Sequence, residues 1–404
     1  MEGESPNGPL TGFRVLDLAD EKGSFCSKLL ADLGARVIKI EKPGGDDSRS
    51  IGPFAGESSH PEKSLFFLYH NANKFGITLN LEHTAGREIF FRLAEKADIV
   101  VETFPPGYLQ AAGLGFEFLS GKNPRLILVS ITGFGQEGPS AQQKSCDLVA
   151  AASGGQMHVS GSPSSSPLKL FGEQSFYAAS LYGAIAALLA FRKRALSGKG
   201  DHIDISLQES VVSTSEDVMV RYFSEKSIPG RQGSLYGNDS FCILPCKDGH
   251  VLINPFQQWE TLTEWMEREG MAEDLTRQEW KEEGYRRAHS AHVRDVLTRW
   301  TETHFTDELI ELGQLMHFPW AALLTPTQVS KNLQLRTRAF FHAIEPPQPD
   351  SAVTCPGTPY AFASSFPAKR KRAPFIGEDN TTIYINELGF SERELNELTS
   401  TGVI

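Results

Sequence analysis

The chain has 404 residues, 40% of them hydrophobic and 22% charged, with a formal net charge of -11. That balance belongs to an ordinary globular protein and excludes a disordered one. The acidic excess argues against a nucleic-acid partner, because a phosphate backbone is held mainly by surplus Lys and Arg.

This length exceeds what one simple core fills, so two lobes are expected. The first residues, MEGESPNGPL, are polar and acidic rather than signal-like. No apolar stretch of membrane-spanning length stands out, so a cytoplasmic location is expected. Five cysteines without a disulfide-framework spacing fit a reducing compartment. Cys242 and Cys246 lie in the strand-like FCILPC with no second ligand pair after them, which points to buried free thiols rather than a metal pair.

Arg14 to Leu18 (RVLDL), a helical stretch from Ser27 to Leu33, and Arg36 to Ile40 (RVIKI) make a βαβ opening. Ile77 to Leu81, the helical Ala85 to Lys96, Ile99 to Glu102 and Leu126 to Ile131 continue the alternation. These elements predict an α/β fold: a doubly wound, mostly parallel, Rossmann-like sheet with its ligand beyond the carboxyl ends of the strands.

Ser160 to Pro167 (SGSPSSSP) is rich in turn formers and is expected to be a loop. From Phe176 to Arg192 small and apolar residues run nearly all round, which predicts a buried helix; His202 to Leu207 then alternates as a strand. Beyond Met219 the texture changes. Glycines at 230, 233 and 237 punctuate a loop, and Trp259 to Trp300 is charged and amphipathic. A smaller α+β lobe is therefore expected over 219–325, with 1–218 and 326–404 forming the large domain. Pro346 to Pro359 reads as Pro-rich connecting chain, and Ser391 caps an amphipathic helix over Glu392 to Leu398.

Taken in order, PLTGFRVLDL, LLADLGARVIKIEKPGGDDSR, NKFGITLNL, ADIVVETFPPGYLQAAGLGFEFL, NPRLILVSITGFGQEGP, AALLAFRKRALSGKGDHIDISL and APFIGEDN resemble the family III CoA-transferases, the group of formyl-CoA transferase and carnitine CoA-transferase, across nearly the whole chain. The resemblance implies an interlocked dimer of two chains, each with a doubly wound domain and a small lobe. It also implies coenzyme A as substrate and product, with no metal.

Such a transfer requires a carboxylate nucleophile. Its attack on an acyl thioester gives a mixed anhydride, which the CoA thiolate reopens at the enzyme's carbonyl. Preorganised N–H groups meet each oxyanion. Relatives carry this carboxylate as Asp in a Gly-Asp pair before the alanine-rich helix, where this chain has Gly172 and Glu173. The added methylene displaces the carboxylate by roughly 1.5 Å, and about 1 Å of misplacement can cost on the order of 100-fold in rate. Glu173 is thus either a nucleophile in a shifted loop, a helix cap acting through the dipole, or the mark of an inactive subunit beside an Asp-bearing paralogue.

Other family positions are also altered. Lys22, Gly23 and Ser24 replace Ala-Gly-Pro, Ala111 and Ala112 stand where an Arg usually meets CoA phosphate, and the Gly-rich loop has no clear counterpart between Gly230 and Asn238. By resemblance, Gly23, Lys42, Arg49, Asn73, Lys74, Phe104 and Lys144 match CoA-binding positions, and Asp147 matches an acidic neighbour of the nucleophile. Asp147 is equally compatible with a buried, hydrogen-bonded carboxylate. His158 and His202 lack partners at metal-ligand spacing. Cys146 replaces the His of related racemases and cannot relay a proton as imidazole does. Lys369 to Arg372 (KRKR) reads as a solvated face.

Together the losses suggest a heteromer in which this chain is the catalytically degenerate subunit. Succinyl-CoA would be the donor, and the acceptor an acid such as (R)-benzylsuccinate in anaerobic toluene breakdown. A homodimer using Glu173, an acyl-CoA isomerase, and a non-catalytic CoA-binding subunit remain as alternatives.

Overall fold

A computed structural model describes residues 8–56, 59–236, 240–344, 353–363 and 371–404. They form two compact units: residues 1–157, 169–228 and 339–404 make the first, and residues 158–168 and 229–338 the second.

The first unit is built on six parallel strands, β1 (Arg14–Asp17), β2 (Arg36–Glu41), β3 (Phe75–Thr78), β4 (Ile99–Glu102), β5 (Ile127–Thr132) and β6 (His202–Ser206). Their spatial order is β3-β2-β1-β4-β5-β6, and every pairing is parallel. Such a sheet is covered on both faces, so its central strands are mainly apolar, with charged residues such as Asp17, Glu41 and Glu102 at their carboxyl ends. Neighbouring residues divide between the faces: Leu16, Ile38, Val100 and Leu128 pack with Phe90, Leu93 and Tyr384, whereas Val15, Val37, Val101 and Val129 pack with Leu30, Phe176 and Ala187. Because β2 and β4 flank β1 on opposite sides, the chain changes direction there and opens a crevice at the strands' carboxyl ends.

β3 begins at Phe75 and ends at Thr78, earlier than the apolar pattern of Ile77 to Leu81 suggests. The C-terminal segment fixes that register. Asp379 Oδ2 accepts the Gly76 N–H at 2.8 Å, Asn380 Oδ1 accepts that of Thr78 at 3.0 Å, and the Tyr384 hydroxyl donates to the Thr78 carbonyl at 2.6 Å. Ser391 closes a capping box with Glu394 at the start of helix Glu392–Ser400.

Helix Gln174–Ser197 corrects two expectations. By length and composition it is apolar enough to cross a membrane, a property the sequence pattern did not reveal. It is also not buried all round. Ala179, Gly183, Ala187 and Ala190 are buried, and a Cβ on Gly183 would come within 3.2 Å of Cys26 Sγ, so the small residues let the helix lie close on the sheet. Leu181, Ile185 and Leu189, one helical face apart, are 45%, 53% and 62% exposed because nothing else in the described chain covers them.

Of the basic run, Lys369 and Arg370 lie outside the described residues, while Lys371 pairs with Asp379 at 3.6 Å and Arg372 with Glu378 at 2.7 Å. Residues 346–352 of the Pro-rich segment are likewise outside; Val353–Pro356 form a strand paired with Phe341–Ile344.

The second unit is a four-stranded antiparallel sheet, its main strands Phe241–Cys246 and Gly249–Ile253, packed with helices Trp259–Arg268, Ser290–Thr301 and Thr306–Leu315. Trp265, Trp300 and Trp320 form its core, and Glu269 accepts from the indole N–H groups of Trp265 (2.7 Å) and Trp300 (2.6 Å). Cys242 is buried and Cys246 half-buried. Gly237 and Asn238 of the glycine-punctuated loop lie outside the described residues.

Candidate active site

A cavity of about 970 Å³ occupies the crevice in the first unit. It lies where a doubly wound sheet holds its ligand. Its walls are the turns after β1 (Asp20, Lys22), β2 (Lys42, Asp47) and β4 (Thr103, Phe104), together with residues 141–145 after β5. Phe104 stacks on Tyr108 with ring centroids 4.4 Å apart, giving an aromatic wall. Behind it, Glu102 Oε2 accepts the Phe104 N–H at 2.6 Å.

Six carboxylates and three lysines line this cavity. Much of the charge is spent internally. Lys22 is paired with Asp20, and Lys42 with Asp47 at 2.7 Å, whose hydrogen bond and charge raise the Lys42 pKa. Asp46 is held by buried Lys39 at 3.0 Å; burial opposes its ionisation, but Lys39 and Ser48 bring its pKa down to about 2. Burial, then the Asp20 charge, raises the pKa of Glu21. Lys144 is exposed and has no ion-pair partner among the described residues.

The residues singled out from the sequence fall into three groups. Lys42, Phe104 and Lys144 line the cavity. Arg49, Asn73 and Lys74 do not. Arg49 gives its guanidinium to Glu41 (2.6 and 2.8 Å), Glu62 (2.7 Å) and the Pro374 carbonyl (2.9 Å), with its carbon 3.7 Å over the Phe67 ring. That spends the fork a phosphate would need. Asn73, at φ 67°, donates to Asp32 at 2.8 Å and accepts from the Lys371 N–H at 2.9 Å. Lys74 is fully buried on Asp17, Ser27, Asn71 and the Ser24 carbonyl. Gly23 precedes helix Ser24–Asp32 and packs so closely that a Cβ would stand 2.7 Å from Thr103 Cγ2.

Glu173 and Asp147 form the third group. Residues 142–145 leave the cavity wall and lead into Asp147, the first residue of helix Asp147–Ser153. Asp147 Oδ1 accepts the Ser175 N–H at 2.8 Å and also the Ser175 hydroxyl, anchoring the head of helix Gln174–Ser197. Glu173 stands at that head without a capping bond, its side chain 46% exposed. Lys169 Nζ lies 2.5 Å from Asp147 Oδ2 and 3.8 Å from Glu173 Oε2. Partial burial and then the Asp147 charge raise the Glu173 pKa, while Lys169 pulls it down. Burial would lower the Lys169 pKa, but its bond to Asp147 and the two carboxylate charges raise it.

Lys169 and Ser175 escaped the sequence reading. Lys169 stands four residues before Glu173, a spacing with meaning inside a helix, but here it lies in a turn-rich stretch.

The chain matches the model of CoA-transferase family III over residues 10–380. It is 31% identical to the succinyl-CoA:(R)-benzylsuccinate CoA-transferase subunit BbsE of Thauera aromatica, over 97% of each chain. It is 33% identical to succinyl-CoA:mesaconate CoA-transferase of Haloarcula hispanica, over 95% of this chain and 97% of the relative. Among solved structures, a CAIB/BAIF family protein from Brucella suis superposes with a TM-score of 0.85 at 29% identity, covering 94% of this chain and 99% of that one.

Proposed function

Because this chain belongs to CoA-transferase family III, we propose that it is one subunit of an enzyme that carries CoA from succinyl-CoA to a carboxylic acid, with the covalent chemistry performed by an Asp-bearing partner of the same fold. The observation that carries this reading is the setting of Glu173. Its carboxylate extends one methylene beyond that of an Asp, sits with Lys169 and Asp147, and does not line the cavity. The cavity supports the same reading, since its lysines are mostly committed to carboxylates and CoA brings several phosphate charges.

In the partner, a carboxylate attacks the succinyl thioester, forming a mixed anhydride and expelling the CoA thiolate. The thiolate attacks the enzyme's own carbonyl, releasing succinate and leaving an enzyme thioester. The acceptor carboxylate opens that thioester to a second anhydride, and the thiolate then attacks the acceptor's carbonyl, giving the new acyl-CoA and restoring the enzyme carboxylate. Each oxyanion formed on the way needs fixed N–H donors. For the acceptor we favour a dicarboxylic acid, (R)-benzylsuccinate first, since the relatives reported above are named for benzylsuccinate and mesaconate. The partner would cover the open face of helix Gln174–Ser197 in an interlocked dimer.

A second reading, a homomer with Glu173 as nucleophile, is favoured by the absence of a capping bond to that half-exposed carboxylate. Purifying the chain alone and with its Asp-bearing paralogue, then assaying CoA exchange from succinyl-CoA, separates the two. Activity only in the pair is expected. Full activity of the lone chain, abolished by Glu173→Gln, overturns the degenerate-subunit reading. CoA binding without turnover in either preparation favours a non-catalytic binding role, and product formed without an added acceptor reveals an isomerase.

A further inference from the structure

Three charged or titratable clusters stand outside the reaction as described: the Lys169 group, the chain Glu102–Ser130–His202 below the cavity, and Glu269 with its two indoles in the second unit. The first surrounds Glu173, the residue that stands at the nucleophile's place. Asp147 is 2% exposed and fixed on the Ser175 N–H at 2.8 Å, so its charge cannot move away from the head of the helix. Glu173 stands close enough to feel its charge, and the same lysine reaches both carboxylates. Two carboxylates so placed tend to trap a proton between them, and a protonated carboxyl neither attacks a thioester nor repels an anion. Lys169 is the cation that both of them reach, at 2.5 Å and 3.8 Å.

We propose that Lys169 is a positioning residue that clamps Glu173 beside Asp147 and keeps the Glu173 carboxylate ionised. The proposal rests on the reading that Glu173 occupies the nucleophile's place, and it holds whether that carboxylate is active or spent. With Lys169 present, the cluster carries one cation and two anions. Without it, Glu173 retains a proton at a pH where it would otherwise be charged.

A water-soluble carbodiimide with glycine ethyl ester reports this without any turnover, because it activates protonated carboxyl groups. Labelling of the full chain between pH 5 and 8 is followed by peptide mass spectrometry at Glu173, with Glu173→Gln as the blank. Lys169→Met is expected to raise Glu173 labelling at pH 6 about fivefold, the effect of losing a partly screened charge near 4 Å. Lys169→Arg should stay at the wild-type rate. Lys169→Gln, which keeps a polar side chain without the charge, guards against a folding failure and should behave as Lys169→Met. Unchanged labelling in Met and Gln variants of wild-type helix content overturns the proposal, as does an Arg variant that labels like the Met variant. None of these outcomes depends on CoA exchange, so this test and the test of the subunit reading fail separately.

Discussion

Glu102 Oε2 accepts the backbone N–H of Phe104 at 2.6 Å, tying a carboxylate that is 3% exposed to the aromatic wall of the cavity. Burial raises its pKa to about 7, against the opposing bonds from Ser130 and Phe104. Between 4.5 and about 7 the folded chain therefore holds a proton that the unfolded chain has released. Stability conferred by this group is present at low pH and falls as pH rises through that window, by at most about 3 kcal/mol. Glu102→Gln should match wild type near pH 5 and exceed it by about 1–3 kcal/mol at pH 8. Urea midpoints at fixed protein concentration measure this; parallel pH profiles for the two proteins would clear Glu102 of the effect.

Lys74 Nζ lies 2.8 Å from Asp17 Oδ2, with both side chains fully out of solvent. Burial lowers the Lys74 pKa to about 8, with Asp17 opposing, so the lysine remains charged at pH 7. Lys74→Met would leave Asp17 with the Ser27 hydroxyl and the Ala19 N–H as its remaining donors. Removing one partner of such a buried pair costs about 3–5 kcal/mol. A denaturant midpoint within 1 kcal/mol of wild type would contradict this; the Asp17→Asn, Lys74→Met double variant should recover part of the loss.

The alternation of strands and helices was legible from the start because parallel strands buried on both faces, such as Ile99–Glu102 and Ile127–Thr132, leave continuous apolar runs. Where β3 ends was not, since Asp379, Asn380 and Tyr384 set it from about 300 residues away. Sequence distance also hid the partner of Lys74, since Asp17 is 57 residues away, but not those of Arg49, which lie 8 and 13 residues off at Glu41 and Glu62. By resemblance both were expected to meet CoA, but the fold closes each on carboxylates instead, Arg49 on Glu41 and Glu62 and Lys74 on Asp17, and no periodicity in the sequence announces those pairings. Lys169 was hidden differently: its partner Asp147 lies across a turn-rich segment whose path no periodicity announces.

Among the cavity lysines, Lys144 is the cation without a carboxylate partner among the described residues, whereas Lys42 is paired with Asp47. An uncommitted cation contributes more to holding a phosphate than one that must first leave its partner. In calorimetric titration with CoA at low salt, Lys144→Ala should weaken binding about fivefold and Lys42→Ala less than twofold. The opposite ranking would show that Lys42 is the residue facing the phosphates. Added salt should reduce the Lys144 effect.

Ile185 stands midway along the open stripe of helix Gln174–Ser197, flanked by Leu181 and Leu189 one turn to either side. A stripe of this kind, facing away from the sheet while Gly183 and Ala187 press against it, is surface that a second chain would remove from water. Each such side chain, fully buried, is worth about 1.5–3 kcal/mol. Ile185→Asp replaces that gain with an uncompensated charge while leaving the sheet-facing residues unchanged. If the proposed two-subunit enzyme forms, sedimentation analysis of the wild type with an Asp-bearing paralogue should show a stable two-chain species, and the Asp variant should shift it towards single chains or fail to assemble. An Asp variant that sedimented as the wild type would place the contact between chains elsewhere on the molecule.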